Sequence, residues 1–152
     1  MADNYIRKSV FLYRDTKNNL YWLFPKNTIE RGFHILGLPA KKFDVASTDF
    51  ITLINEALDL MQYCRSVTYH DASQELKARF KKETKLWYSS WGLQKASSAV
   101  LGIYFEDDEF CIDIFSVKKE ELGAYKCTIK RPLEASHEEF AEALNEAFDF
   151  YK

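Results

Sequence analysis

Residues 136–151, SHEEFAEALNEAFDFY, repeat the pattern of residues 47–61, STDFITLINEALDLM, about ninety positions earlier. Phe50, Ile54, Ala57, Leu58 and Met61 in the first copy answer to Phe140, Leu144, Ala147, Phe148 and Tyr151 in the second. Both sets run i, i+4, i+7, i+8, i+11, which is one face of a helix of period 3.6. Asn55-Glu56 with Asn145-Glu146, and Asp59 with Asp149, match off that face, where helical periodicity dictates nothing. The match reads as an internal repeat, against the alternative of two amphipathic helices that converged in composition.

The segments that precede the two helices also correspond. Tyr5 to Tyr13 and Leu20 to Phe24 are rich in β-branched and aromatic residues around the turn Thr16-Lys17-Asn18-Asn19, so they read as a hairpin whose second strand Pro25 ends. Phe33 to Leu36 is a short third strand stopped by Gly37 and Pro39, and Ser47, Thr48 or Asp49 caps the helix that runs to about Tyr63. In the second unit Ala99–Phe105 and Phe110–Val117 form a hairpin around Glu106 to Glu109, with Gly102 a bulge or close-approach point. Cys111 and Asp113 fall on one face of that hairpin, Ile112 and Ile114 on the other. Ala124 to Lys130 is its third strand, and Ser136 with Glu139 makes a capping box for its helix.

Residues 71–91 predict one connecting helix, capped by Asp71 with Gln74 at its third position and stopped at Gly92. Leu76, Phe80, Trp87 and Trp91 lie on one side, while Lys77, Lys81, Lys82 and Lys85 crowd the rest. No low-complexity linker divides the chain. The expectation is an α+β single domain over 1–152, with two βββα units (5–63 and 99–151), a mainly antiparallel sheet of about six strands and helices packed on it.

With 152 residues, 47% of them hydrophobic, a real core is available, and no apolar run approaches the roughly 20 residues of a membrane span. The first ten residues lack the features of a secretory signal, so a cytoplasmic location is expected. Cys64, Cys111 and Cys127 are odd in number and show no C-x-x-C spacing, so buried reduced thiols are expected, without a disulfide framework or zinc site. The five glycines form no phosphate-binding motif, and there is no nucleophile elbow. His34, His70 and His137 sit in different elements without metal-ligand spacing. His70-Asp71 with Cys64 upstream is the one nucleophile arrangement to weigh, and Asp71 is better explained as a helix cap. The Glu106–Glu109 run lacks the alternating ligands and glycine of a calcium loop. No enzymatic activity, cofactor or metal is expected.

Two surfaces remain as candidates. Lys81, Lys85, Trp87 and Trp91, with Tyr88, combine rings for stacking with lysines for phosphates. Repeated strand-strand-strand-helix units also occur in single-strand nucleic-acid binders of the Whirly type, which makes nucleic acid the alternative partner. Against it stands an isoelectric point near 5.9. The second candidate comes from charge polarity: residues 1–98 carry 15 Lys+Arg against 10 Asp+Glu, net +5, while 99–152 carry 6 against 13, net −7.

Ile6-Arg7-Lys8-Ser9-Val10 in the first strand, Gly32-Phe33-His34-Ile35-Leu36, and the helices ending Glu56-Ala57-Leu58 and Glu146-Ala147-Phe148 resemble the immunity proteins of bacterial contact-dependent growth inhibition systems. The resemblance spans nearly the whole chain. It implies a protein without enzymatic activity that binds the toxic C-terminal domain, often a nuclease, of a sibling's surface effector and neutralises it in the cytoplasm. Toxin contacts diverge within that family, so no binding residue follows from it. Physics supplies a candidate surface, because nuclease sites are electropositive and an acidic inhibitor gains association rate and specificity against them. Glu106, Asp107, Asp108 and Glu109 of the hairpin turn, with Glu138, Glu142 and Asp149 on one solvent face of the last helix, are the expected toxin-binding residues.

Overall fold

A computed structural model of the chain describes residues 7–152, so Tyr5 and Ile6 of the predicted first strand lie outside the described residues. The hairpin β1 (Ser9–Asp15) and β2 (Leu20–Thr28) forms around its polar turn, as the β-branched and aromatic runs predict. β3 (His34–Leu36) and β4 (Lys41–Asp44) both pair with the outer edge of β2, one with residues 26–28 and the other with residues 20–23. α1 (Phe50–Leu60) closes this first unit, its N-terminus capped by Asp49 accepting from the Thr52 amide. The second unit is βββα as expected, while the first has a fourth strand before its helix: β5 (Ser97–Glu106), β6 (Glu109–Phe115), β7 (Tyr125–Pro132) and α4 (His137–Asp149), the last capped by Ser136. The units join through the antiparallel pair β1–β5, giving the strand order β3-β2-β1-β5-β6-β7, with β4 sharing the β3 edge. The result is an α+β single domain with a seven-strand antiparallel sheet six positions wide.

Pro25 does not end the second strand. Its carbonyl faces the sheet edge and accepts from the Gly37 amide at 2.6 Å, so the position without an N–H lies on that same edge, in the gap between the β3 and β4 pairings. β4 had no counterpart in the sequence reading because Lys41-Lys42-Phe43-Asp44 is mostly charged, as a solvated edge strand is.

One face of the sheet carries both repeat helices. Val10, Leu12, Leu101, Ile103, Ile112 and Ile114 meet the buried stripes of α1 and α4 there. The helices run antiparallel: Phe50 stacks on Phe148 at 5.2 Å, while His137 Nδ1 and Asn55 Oδ1 share a hydrogen bond of 2.7 Å. The repeated polar residues now have a physical reason. Glu56 pairs with Lys41 of β4 at 2.6 Å, and Glu146 pairs with Arg131 of β7, so each helix is tied to the last strand of its own unit.

The opposite face is covered at one end by α2 (Tyr69–Thr84) and α3 (Ser90–Ala96), which bury Phe80 and Leu93 against Tyr13, Trp22, Phe24 and Val100. The predicted continuous helix over 71–91 is therefore two helices. Thr68, not Asp71, caps the first, and Lys85 at its C-terminus adopts a left-handed φ of 62°. Gly92 lies inside α3, whose cap is Ser89. Cys64 and Cys111 are buried free thiols, whereas Cys127, expected to be buried, is exposed.

Candidate functional site

The acidic hairpin is shaped by its turn. Asp107 and Asp108 both take left-handed φ values, 52° and 60°, as a two-residue hairpin turn demands and as a short polar side chain tolerates. The residues flanking them are paired: Glu106 lies 3.8 Å from Arg7, and Glu109 lies 3.6 Å from Lys130. The Leu133 amide donates to the Asp108 carbonyl at 3.0 Å, four residues before α4 begins, and Phe110 stacks on Phe140 at 4.0 Å. The fold thus sets the turn beside the N-terminal half of α4, where Glu138 and Glu142 are exposed and have no cation partner among the described residues. These two line a shallow groove between α1 and α4 together with Asp49, Phe50, Ile51, Ala141 and Asn145. The Thr52 hydroxyl and amide hold the Asp49 carboxyl below its ordinary value, so this cap adds a further ionised group to the groove. Sequence reasoning read Asp49 only as a cap, because its neighbour across the groove is about ninety residues away.

Asp149 does not join them. It sits at the far end of α4, about 16 Å along the axis from Glu138 at 1.5 Å per residue, and is paired with Lys152 at 2.9 Å.

The alternative surface also divides. Trp87 is buried and donates its indole N–H to Asp15 at 2.8 Å, so it belongs to the core. Trp91 is 55% exposed and Tyr88 83%. Lys81 lies over the Tyr88 ring at 4.4 Å and donates to the Lys85 carbonyl, and Lys95 lies over Trp91 at 5.7 Å. Lys81, Lys85 and Trp91 remain on the surface without Trp87.

A polar cluster that the sequence did not announce occupies the sheet face beyond the reach of α2 and α3. Strand alternation puts Ser9, Phe11, Lys26, Thr28, Gly102, Tyr104 and Asp113 on that face. Lys26 is only 3% exposed, and its Nζ stands 4.0 Å from the Phe11 ring and 3.2 Å from where a Cβ on Gly102 would lie. Gly102, the close-approach point of the sequence reading, is what leaves room for the ammonium. Burial, then Arg7, draws the Lys26 pKa down to about 8, against smaller opposing effects of Asp113 and Cys64. Burial, Lys26 and Arg7 lower His34 in the same way. Asp113 Oδ1 accepts from Tyr104 at 2.8 Å and Thr128 at 2.6 Å, and burial with that carboxylate drives the Tyr104 phenol upward. The Cys64 thiol donates to the Ser9 carbonyl at 3.1 Å and burial raises its pKa, so it is not a thiolate at neutral pH. Among the described residues no three His, Cys, Asp or Glu side chains gather as a metal set.

No protein-family description and no curated protein matches the sequence. Among solved structures the fold is similar to that of the protein of unknown function NMB0488 from Neisseria meningitidis, with a TM-score of 0.61 and 15% identity over 99% of this chain and 98% of that one. At this identity the likeness is one of fold.

Proposed function

We propose that the chain is a bacterial immunity protein that binds and neutralises the toxic C-terminal domain, a nuclease, of a contact-dependent growth inhibition effector in the cytoplasm. The observation that carries this reading is a set of carboxylates without cation partners among the described residues: Glu138 and Glu142 face Asp49 across one groove, and the turn of Asp107 and Asp108 is set beside the N-terminal half of the same helix. Glu138 and Glu142 are four apart on one helix, and such like-charged pairs destabilise a free helix by a few tenths of a kcal/mol. A cationic partner turns that repulsion into attraction and speeds encounter. The groove between the carboxylates has an apolar floor of Phe50, Ile51 and Ala141, the mixture of an anchor surface and a charged rim found in protein interfaces. The sequence resemblance to the immunity family points to the same class. Among the described residues no helix is long and apolar enough to cross a membrane.

The test is kinetic. Reversing Asp107 and Asp108, then Glu138 and Glu142, to lysine is expected to slow association with the toxin domain encoded beside this chain and to flatten its salt dependence. The melting temperature is expected to stay where it is, because rim charges act mainly on the on-rate. Unaltered association after both reversals would place the interface elsewhere.

The exposure of Tyr88 and Trp91 beside Lys81, Lys85 and Lys95 favours a second reading, a single-stranded nucleic-acid binder of Whirly-like architecture. One titration separates the two. Micromolar binding of an oligonucleotide with steep salt dependence, lost in Trp91→Ala, supports nucleic acid.

A further inference from the structure

We propose that the sheet face around Lys26 is a binding site for a small oxyanion, a carboxylate or phosphate group held by Lys26, Arg7, Ser9 and Thr28. Among the described residues, four donors on that face lack acceptors. Arg7 Nε, Ser9 Oγ and Thr28 Oγ1 are buried without a hydrogen-bond partner, and Lys26 pairs with no carboxylate among the described residues. The strand register makes them neighbours: Ser9 pairs with Tyr104 on one side and, one step beyond the Val10–Pro25 pair, lies beside Lys26 on the other. His34 of β3 pairs with Thr28 and is exposed, so the cluster opens to solvent at that edge.

The charges facing Lys26 favour an anion. Arg7 repels its ammonium, His34 is held toward its neutral form by burial, Lys26 and Arg7, and Asp113 attracts it but spends one oxygen on Tyr104 and Thr128. Among the described residues Glu106 pairs with Arg7, at 3.8 Å. The Cys64 thiol is protonated and already donates to Ser9. In the free protein a buried ammonium that makes no ion pair destabilises the fold even with Asp113 nearby, and buried hydroxyls without acceptors add to that. A bound oxyanion removes both effects at once: it accepts from the orphaned donors and supplies the missing charge. The site is independent of the acidic groove, which lies on the helix-covered face.

The test uses the full chain, melted in chloride, acetate and inorganic phosphate at matched ionic strength. Wild type is expected to gain stability in acetate or phosphate over chloride, while Lys26→Met shows a clearly smaller gain because it binds roughly tenfold more weakly, as loss of a charge-assisted hydrogen bond implies. General exclusion of phosphate from protein surfaces acts on both proteins alike, so the difference between them is the readout. A larger gain in phosphate assigns a phosphate group, and a larger gain in acetate a carboxylate. Ser9→Ala and Arg7→Gln keep the lysine and are expected to reduce the gain, which covers the case of a Lys26→Met protein that fails to fold. Calorimetry just above pH 8, in buffers of different ionisation heat, is expected to show proton uptake on binding, because the anion restores the Lys26 charge. An equal response of wild type and Lys26→Met, or no anion-specific response in wild type, overturns the site.

Discussion

Trp87 and Asp15, seventy-two positions apart, meet at 2.8 Å on the same carboxylate oxygen that accepts from Trp22 at 3.1 Å. This contact ties the segment between α2 and α3 to the end of β1. Burial pushes the Asp15 carboxyl up, but the hydrogen bonds from Asn18, Trp87 and Trp22 together outweigh it and hold the group below its ordinary value. Asp15→Ala leaves two buried indole N–H groups without an acceptor, at about 1–3 kcal/mol each. Urea unfolding is expected to show a loss in that range or above it. An unchanged midpoint would mean that the indoles find other partners.

Trp87 and Trp91 are expected to separate in the same assay. Trp87→Ala removes a buried ring and is expected to cost about 3–5 kcal/mol, while Trp91→Ala, at an exposed site, is expected to stay within about 0.5 kcal/mol. Similar losses for both would contradict the placement of one in the core and the other on the surface.

Phe148 tests the repeat helices. It is 4% exposed, packs on Phe50 and Tyr21, and carries Arg14 over its ring at 4.8 Å. Phe148→Ala is expected to cost about 3–5 kcal/mol. A variant that melts with wild type would remove α4 from the core.

The stripes that define these helices were legible in the sequence because a helix packed on one face writes its period directly: Ile54, Ala57, Leu144 and Ala147 are all fully buried. The two hairpins were legible as β-branched and aromatic runs flanking polar turns. The region from Thr68 to Ala96 was not, since Asp71 with Gln74 imitates a capping box three residues inside the true start, and the break at Lys85 is fixed by Trp87 reaching a carboxylate on β1. Of the acidic surface, the hairpin turn and the first half of α4 were legible as clusters, but their adjacency to Asp49 and the separation of Asp149 depend on tertiary packing. Lys26 was hidden most completely, because Pro25 reads as a strand end and leaves the lysine outside the sheet, where no glycine of another strand is seen to make room for it.

Lys26 also sets a pH dependence. Its folded pKa of about 8 lies below the ordinary 10.5, so between those values the unfolded chain binds more protons than the folded one. Stability of the anion-free protein is therefore expected to rise from pH 8 upward, by at most about 3 kcal/mol for a shift of this size. The buried phenols of Tyr13 and Tyr104, raised well above 10.0, reverse the slope once unfolded tyrosine begins to ionise. Urea midpoints measured across this range are expected to climb and then fall for wild type. In Lys26→Met the climb is expected to vanish, and its persistence would assign it to another group.

The proposed immunity function is tested most directly by neutralisation of the C-terminal domain of a contact-dependent growth inhibition effector, taken from the neighbouring gene where the proposal expects it. Growth of cells producing that domain, with and without this chain, is followed alongside binding of the purified pair. The account predicts rescued growth and a stable complex, with association slowed when Asp107, Asp108, Glu138 and Glu142 are reversed to lysine. Persistent killing together with no complex between the purified proteins would contradict it.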